Sequence, residues 1–256
     1  SLLLATFTAS ASPVELSLDA ATTQRIDLAA ADVLKQTGVP SASIAVVREG
    51  RLVYAQAYGN ATLESKALSA RPSMRYAIGS ISKQFTAAAL LLLQQQGKLS
   101  LDDKVARYFP QLTRANEITI RQLLTHTSGY QDYWPQDYTF ADMRRPTRPE
   151  AILDRWARQP LDYEPGTRWQ YSNTGYVLAG LIVEKVSGEP LYEFLERRIF
   201  EPLRLESASD FDNEPVEHGT VPGYESYALG PPRAAGYSGP GWLFGAGGLA
   251  MTATDL

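Results

Sequence analysis

Hydrophobic positions recur at helical spacing over residues 24–37. Ile26, Ala29, Ala30, Val33 and Leu34 share one face, and Gly38 offers a left-handed close. Two short apolar runs follow at 43–48 and 52–58, separated by a turn around Glu49-Gly50, and this pattern predicts an antiparallel hairpin. The densest apolar run is FTAAALLLL at 85–93, which ends in three glutamines and Gly97. It is built of strong helix formers and is apolar on nearly all sides, so a buried central helix is expected to start at or near Ser80. Two later stretches have the form of a capping box. Thr119-Ile-Arg-Gln122 precedes Leu123 and Leu124, and Thr147-Arg-Pro-Glu150 precedes Ile152, Leu153 and Trp156. An apolar helix is expected over 174–187, closed by Gly188. Pro190 opens the next, with Leu191, Phe194, Leu195 and Ile199 on one face. Residues 206–241, rich in Gly, Pro and Tyr, read as irregular. Thr252 or Thr254 is suited to cap a helix with Asp255 in its first turn.

These elements include few strands, and a lone hairpin cannot cover a large helical layer. Either further strands lie in the Tyr/Gly-rich region or the sheet continues beyond residue 256. The second is the expectation, so the chain reads as truncated at its C-terminus. At the other end, an apolar run followed by Ala9-Ser10-Ala11 has the form of a signal-peptide remnant over residues 1–11, which implies a periplasmic or secreted protein. That run is too short for a stable membrane span.

Composition narrows the chemistry. The 256 residues are 44% hydrophobic and 20% charged, with a net charge of −4, as in an ordinary globular protein with a sizeable core. No basic run offers a nucleic-acid footprint. The absence of cysteine excludes disulfides, thiol catalysis and thiolate metal sites. With only His126 and His218 as imidazoles and no HExxH pattern, no metal or other cofactor is expected.

Candidate chemistry centres on YAIGSISKQF, residues 76–85. Ser80 and Lys83 are three apart, hence neighbours on one helical face, whereas Ser82 and Lys83 diverge. A lysine can take a proton from a serine only if burial or a nearby cation lowers its pKa. Taken by itself, this motif is better explained by a capped helix with a solvated lysine. Tyr171-Ser-Asn173 adds a second constellation. In an extended segment Tyr171 and Asn173 point the same way; the tyrosine, with its pKa lowered beside an ammonium, can relay a proton, and the asparagine can anchor both the lysine and a substrate carbonyl. Taken by itself, this stretch too is better explained as a packed turn. His126 is expected to be structural rather than a catalytic base, and His218 to be solvated. Tyr130, Tyr133, Trp134 and Tyr138 either line a substrate entrance or pack a loop.

Together, Ser80-Ile-Ser-Lys83 and Tyr171-Ser-Asn173 resemble the first two motifs of the serine β-lactamase and penicillin-binding protein superfamily, in particular its class C β-lactamase-related group of D,D-peptidases, D-aminopeptidases and family VIII carboxylesterases. The stretches at 97–110, 118–129, 164–188 and 245–256 agree with that likeness, which covers roughly residues 24–256. It implies an α+β, multi-domain β-lactamase/transpeptidase-like fold, with an antiparallel sheet flanked by helices and a mostly helical domain. Residues 12–79 would begin the α/β domain, 80–222 would form the helical domain, and 223–256 would return to the first. The resemblance further implies a serine hydrolase that forms an acyl-enzyme at Ser80 on an amide or ester: a β-lactam, a D-Ala-D-Ala-type peptide or a short ester. Lys83 and Tyr171 would share the acid/base work, Asn173 would bind substrate, and the Ser80 N–H would supply half of an oxyanion hole. The family's third motif, K-T-G or H-x-G, is not found in this sequence. A non-catalytic ligand-binding or sensor member of the fold is therefore the alternative. Its expected partner is a small-molecule or peptide substrate; oligomeric state is left open.

Overall fold

The computed structural model describes residues 17–63, 67–134, 140–213, 220–226 and 230–256. The signal-like segment 1–11, Tyr138 and His218 lie outside them. Helix α1, Ala20–Thr37, starts four residues earlier than the apolar periodicity indicates, because Asp19 caps it by accepting from Thr22 N at 2.7 Å. Gly38 closes it at φ 71°. Strands β1, Ser41–Arg48, and β2, Arg51–Gly59, form the expected hairpin. Glu49 and Gly50 both have positive φ, 52° and 72°, the turn geometry that matches the natural strand twist. Asp27 ties helix to hairpin by accepting from the hydroxyls of Tyr54 and Tyr58 at 2.7 and 2.6 Å.

Strand β3, Tyr76–Ala77, leads through a 3₁₀ turn, Gly79–Ser82, into α2, Lys83–Gln95. Lys83, Phe85, Thr86, Ala89, Leu90 and Leu93 are buried on one side of α2, while Leu91 is 49% exposed. The helix is therefore central but not enclosed all round. Helix α3, Ile120–Leu124, carries the expected reciprocal cap between Thr119 and Gln122. The second expected box does not form. Helix α4, Pro149–Ile152, follows Arg148 with no side-chain cap, because Pro149 takes the first helical position and the Thr147 N–H donates to Pro240 O instead. A π-helical turn, Leu153–Ala157, continues it.

Helix α5, Asn173–Ser187, runs through the core, with every side chain from Asn173 to Val183 buried, and Gly188 ends it at φ 80°. Helix α6, Leu191–Leu195, passes through a second π turn, Glu196–Phe200, into α7, Glu201–Leu203. The Tyr/Gly-rich region does hold strands, but very short ones: β4, Ser209–Asp210, β5, Tyr224–Glu225, and β6, Arg233–Ala234. They do not extend the hairpin. After the short helix α8, Phe244–Gly247, strand β7, Leu249–Met251, pairs antiparallel with β3 on one side and β4 on the other, while β5 and β6 pair with each other. Beyond it Thr252 acts as a cap, its Oγ1 accepting from Asp255 N at 3.3 Å. The result is a mixed α+β structure whose core packs α2 and α5 against α3, α6 and α8. Close approach in that core requires glycine: a Cβ on Gly245 would lie 2.8 Å from Tyr176 O.

Candidate active site

The turn at Gly79, φ 52°, swings the chain from β3 into the 3₁₀ segment and leaves Ser80 exposed at its lip. Ser82 points the other way. It is 1% exposed, and its Oγ accepts from Leu249 N at 3.2 Å, fastening the segment to β7. The geometry therefore separates the two serines: one faces a cleft, the other the core.

Lys83 opens α2 and is 6% exposed. Its ammonium has three donors and uses all three, on Ser80 Oγ at 3.1 Å, Asn173 Oδ1 at 2.8 Å and Ala246 O at 2.6 Å. The rings of Tyr171 and Tyr176 lie 4.9 and 5.5 Å from Nζ. Burial lowers its pKa to about 8, against the opposing pull of the Asp132 carboxylate. Thr86, one turn on, donates to Gly245 O at 2.8 Å, so α2 binds two successive carbonyls of the glycine-rich stretch.

Tyr171 lies in the loop before α5, with its hydroxyl 2.5 Å from Ser80 Oγ. Burial pushes its phenol above the ordinary value, and its hydrogen bond to Ser80 opposes that only in part. The expected lowering beside an ammonium does not occur, because Tyr171 shares the low-dielectric surroundings of Lys83. His126 organises this loop. In a left-handed conformation, φ 57°, it accepts from Ser172 N through Nδ1 at 3.2 Å, and its carbonyl accepts from Gln170 N and the Tyr163 hydroxyl at 2.9 and 3.0 Å. Its ring packs 4.6 Å from that of Tyr171. Burial, then the Lys83 charge, hold its pKa down at about 4, so it stays neutral. This is the structural position expected for it.

Ser172 caps α5 by accepting from Gly175 N at 3.4 Å, which starts the helix at Asn173 and turns that side chain inward. Ser80, Tyr171 and Asn173 share a cavity of about 290 Å³ with Tyr133, Trp134 and Leu243. Of the four aromatics considered from sequence, Tyr133 and Trp134 line this cavity. Tyr130 does not: it is 1% exposed and donates to Thr113 O at 3.1 Å. Tyr133 donates a hydrogen bond to Trp242 O and packs at a tilt against Trp156 and Trp242, a cluster that fixes one wall.

Three groups escaped sequence reasoning. Asp132 accepts from Asn173 N at 2.9 Å and from Asn173 Nδ2 at 3.1 Å. Asp212, 7% exposed, accepts from the backbone N–H groups of Gly241, Leu243 and Phe244 at 3.1, 3.1 and 2.7 Å and so shapes the turn before α8. The Ala246 carbonyl has no side-chain signature at all. An acid within the aromatic run Tyr-Gln-Asp-Tyr-Trp was a signal for Asp132, but its partner is 41 residues away. Among the described residues, no three His, Asp or Glu side chains converge as a metal site requires, and no helix is long and apolar enough to cross a membrane.

The model of the Beta-lactamase family matches residues 22–256. Among curated proteins, the chain is 32% identical over 209 residues to Protein flp of Staphylococcus aureus (strain MRSA252), covering 79% of this chain and 41% of that protein. It is 35% identical over 158 residues to Penicillin-binding protein 4* of Bacillus subtilis (strain 168), covering 61% and 35%. The chain thus spans less than half the length of these relatives. Among solved structures, a D-amino acid amidase from Ochrobactrum anthropi SV3 complexed with L-phenylalanine amide superposes with a TM-score of 0.83 at 28% identity, covering 92% of this chain and 68% of that one. An octameric penicillin-binding protein homologue from Pyrococcus abyssi gives 0.78 at 30% identity, covering 91% and 54%.

Proposed function

The chain belongs to the Beta-lactamase family, within the serine β-lactamase and penicillin-binding protein superfamily, and on that premise we propose that it carries the acylation site of a serine hydrolase. Ser80 attacks the carbonyl of an amide or ester. The proton leaves Ser80 Oγ for Lys83, directly or through Tyr171, and returns through the same pair to the leaving group. Asn173 holds Lys83 and faces the cleft as a substrate contact. The Ser80 N–H is one oxyanion donor. Acyl-enzyme hydrolysis then restores Ser80.

One observation carries this reading: Lys83 Nζ and the Tyr171 hydroxyl both lie within hydrogen-bond reach of the exposed Ser80 Oγ, at 3.1 and 2.5 Å. A solvated lysine would not be 6% exposed with every donor engaged. The similarity to a penicillin-binding protein and to a D-amino acid amidase supports β-lactams and amino acid amides as the first substrates to try.

The test is covalent labelling of the full-length protein with a fluorescent penicillin and with a fluorophosphonate. Labelled peptide containing Ser80, lost in Ser80→Ala, is the expected result. No label with either reagent would favour a non-catalytic, ligand-binding member of the fold.

A further inference from the structure

Asn173 must present its amide oxygen to Lys83, yet an amide can sit either way round. Turned over, it would set an NH₂ against an ammonium, donor against donor. The choice is made on the far side. Both carboxylate oxygens of Asp132 lie 3.1 Å from Asn173 Nδ2, and Oδ1 also accepts from Asn173 N at 2.9 Å and Trp134 N at 3.2 Å. An ionised carboxylate only accepts, so it draws the NH₂ to itself and leaves the oxygen for Lys83 Nζ at 2.8 Å. The loop is fixed to α5 from the neighbouring residue too, where Thr174 Oγ1 donates to Gln131 O at 2.6 Å.

We propose that Asp132 is a positioning residue for this reaction, holding the Asn173 amide with its oxygen turned toward Lys83 and placing a negative charge behind it. The proposal rests on the acylation reading above. It assigns Asp132 two effects that a packing role would not combine: orientation of the acceptor on Lys83, and a bias of Lys83 toward the ammonium form. The groups facing Lys83 are the hydroxyl of Ser80, the rings of Tyr171 and Tyr176, the neutral imidazole of His126, the Ala246 carbonyl, and the Asn173 amide with Asp132 behind it. Burial drives Lys83 toward the free amine, and the Asp132 charge opposes it. Asp132 is itself pushed up by burial and held down by its hydrogen bonds with Asn173 and Trp134 and by the Lys83 charge.

Asp132→Asn tests this in the full-length protein. The new side chain keeps one acceptor oxygen, at the place fixed by the Asn173 and Trp134 N–H groups, and sets an NH₂ in place of the other oxygen, facing the Asn173 NH₂. Two quantities are read. One is the pH dependence of Ser80 labelling by fluorescent penicillin. The other is the pH midpoint at which Lys83 becomes reactive to trace acetic anhydride, scored by peptide mass spectrometry. The second needs no acylation of Ser80, so a failure of the hydrolase reading leaves it intact. Both midpoints are expected to fall by about half a unit to one unit, since a charge that favoured the ammonium is gone. The limiting labelling rate should drop about 10-fold or more from the misdirected amide. Midpoints unchanged from the parent protein would overturn the proposal, whatever happens to the rate. If Asp132→Asn does not fold, the exchange variant Asp132→Asn with Asn173→Asp restores a donor–acceptor pair and brings the carboxylate onto Lys83. Its acetylation midpoint should then rise, and an unmoved midpoint there would equally sink the idea.

Discussion

An ordinary lysine holds less than about one part in a thousand as free amine at pH 7, whereas a group titrating near 8 holds about one part in ten. Lys83 is of the second kind. Tyr171, pushed above 10 by burial, has far less of its basic form at the same pH. Of the two groups touching Ser80 Oγ, Lys83 is therefore the better resting base, and in the proposed mechanism the neutral phenol would serve as a bridge. Labelling of Ser80 is expected to rise with pH through about 8 and then level off. Lys83→Ala should cost about 10²–10⁴ in labelling rate, the usual worth of a general base. Tyr171→Phe should cost less while leaving the midpoint close to the parent value. A larger loss in Tyr171→Phe than in Lys83→Ala would reverse the assignment. These pairings were legible in sequence as spacing: three residues from Ser80 to Lys83, two from Tyr171 to Asn173. The direction of the Tyr171 shift was not, because it depends on how deeply the folded loop buries the ring.

At the scale of elements, the site is a meeting of three segments, and the glycine-rich one is shaped from outside. Asp212 gathers the N–H groups of Gly241, Leu243 and Phe244, and the turn so formed delivers the Ala246 carbonyl to Lys83. Burial raises the Asp212 carboxyl from 3.8 to about 6, although three N–H donors pull it down. Its pKa is higher folded than unfolded, so the unfolded chain loses that proton first as pH rises. The contribution of Asp212 to stability is then fullest below about pH 4 and declines up to about pH 6. Thermal melting of the parent protein relative to Asp212→Asn should show that decline, and a difference that grows between pH 4 and 6 would contradict it. Asp212→Asn should also slow Ser80 labelling by displacing Ala246. Helices α2, α5 and the hairpin were readable from periodicity, and the Thr119 cap from its motif. The Thr147 box failed because Pro149 had already taken the first helical position. The short strands β3, β4 and β7 were not readable, since two or three residues carry no period and are defined only by partners far along the chain.

For the whole molecule, burial is unevenly distributed among the described residues. The helical body buries its large side chains almost completely, Leu90, Leu93, Leu178 and Ile182 among them. By contrast α1 buries only Ala30 and the hairpin only Tyr54, while Leu28, Val33, Val47 and Leu52 are 49–64% exposed. The Asp27 carboxylate joins α1 to the hairpin by accepting from two tyrosine hydroxyls. Those bonds, Tyr58 first, hold Asp27 below the usual carboxylate range. The sign is opposite to that of Asp212: this contribution is present above the unfolded pKa and is lost as pH falls. Amide hydrogen exchange should therefore be faster over residues 20–59 than over α5, and Asp27→Asn should accelerate the first region and spare the second. Equal acceleration in both would refute this. Acid thus acts as a wedge with a preferred point of entry: it loosens the two-tyrosine clasp while the Asp212 turn gains, so the described residues should come apart from the hairpin end and shed that layer with the helical body still closed.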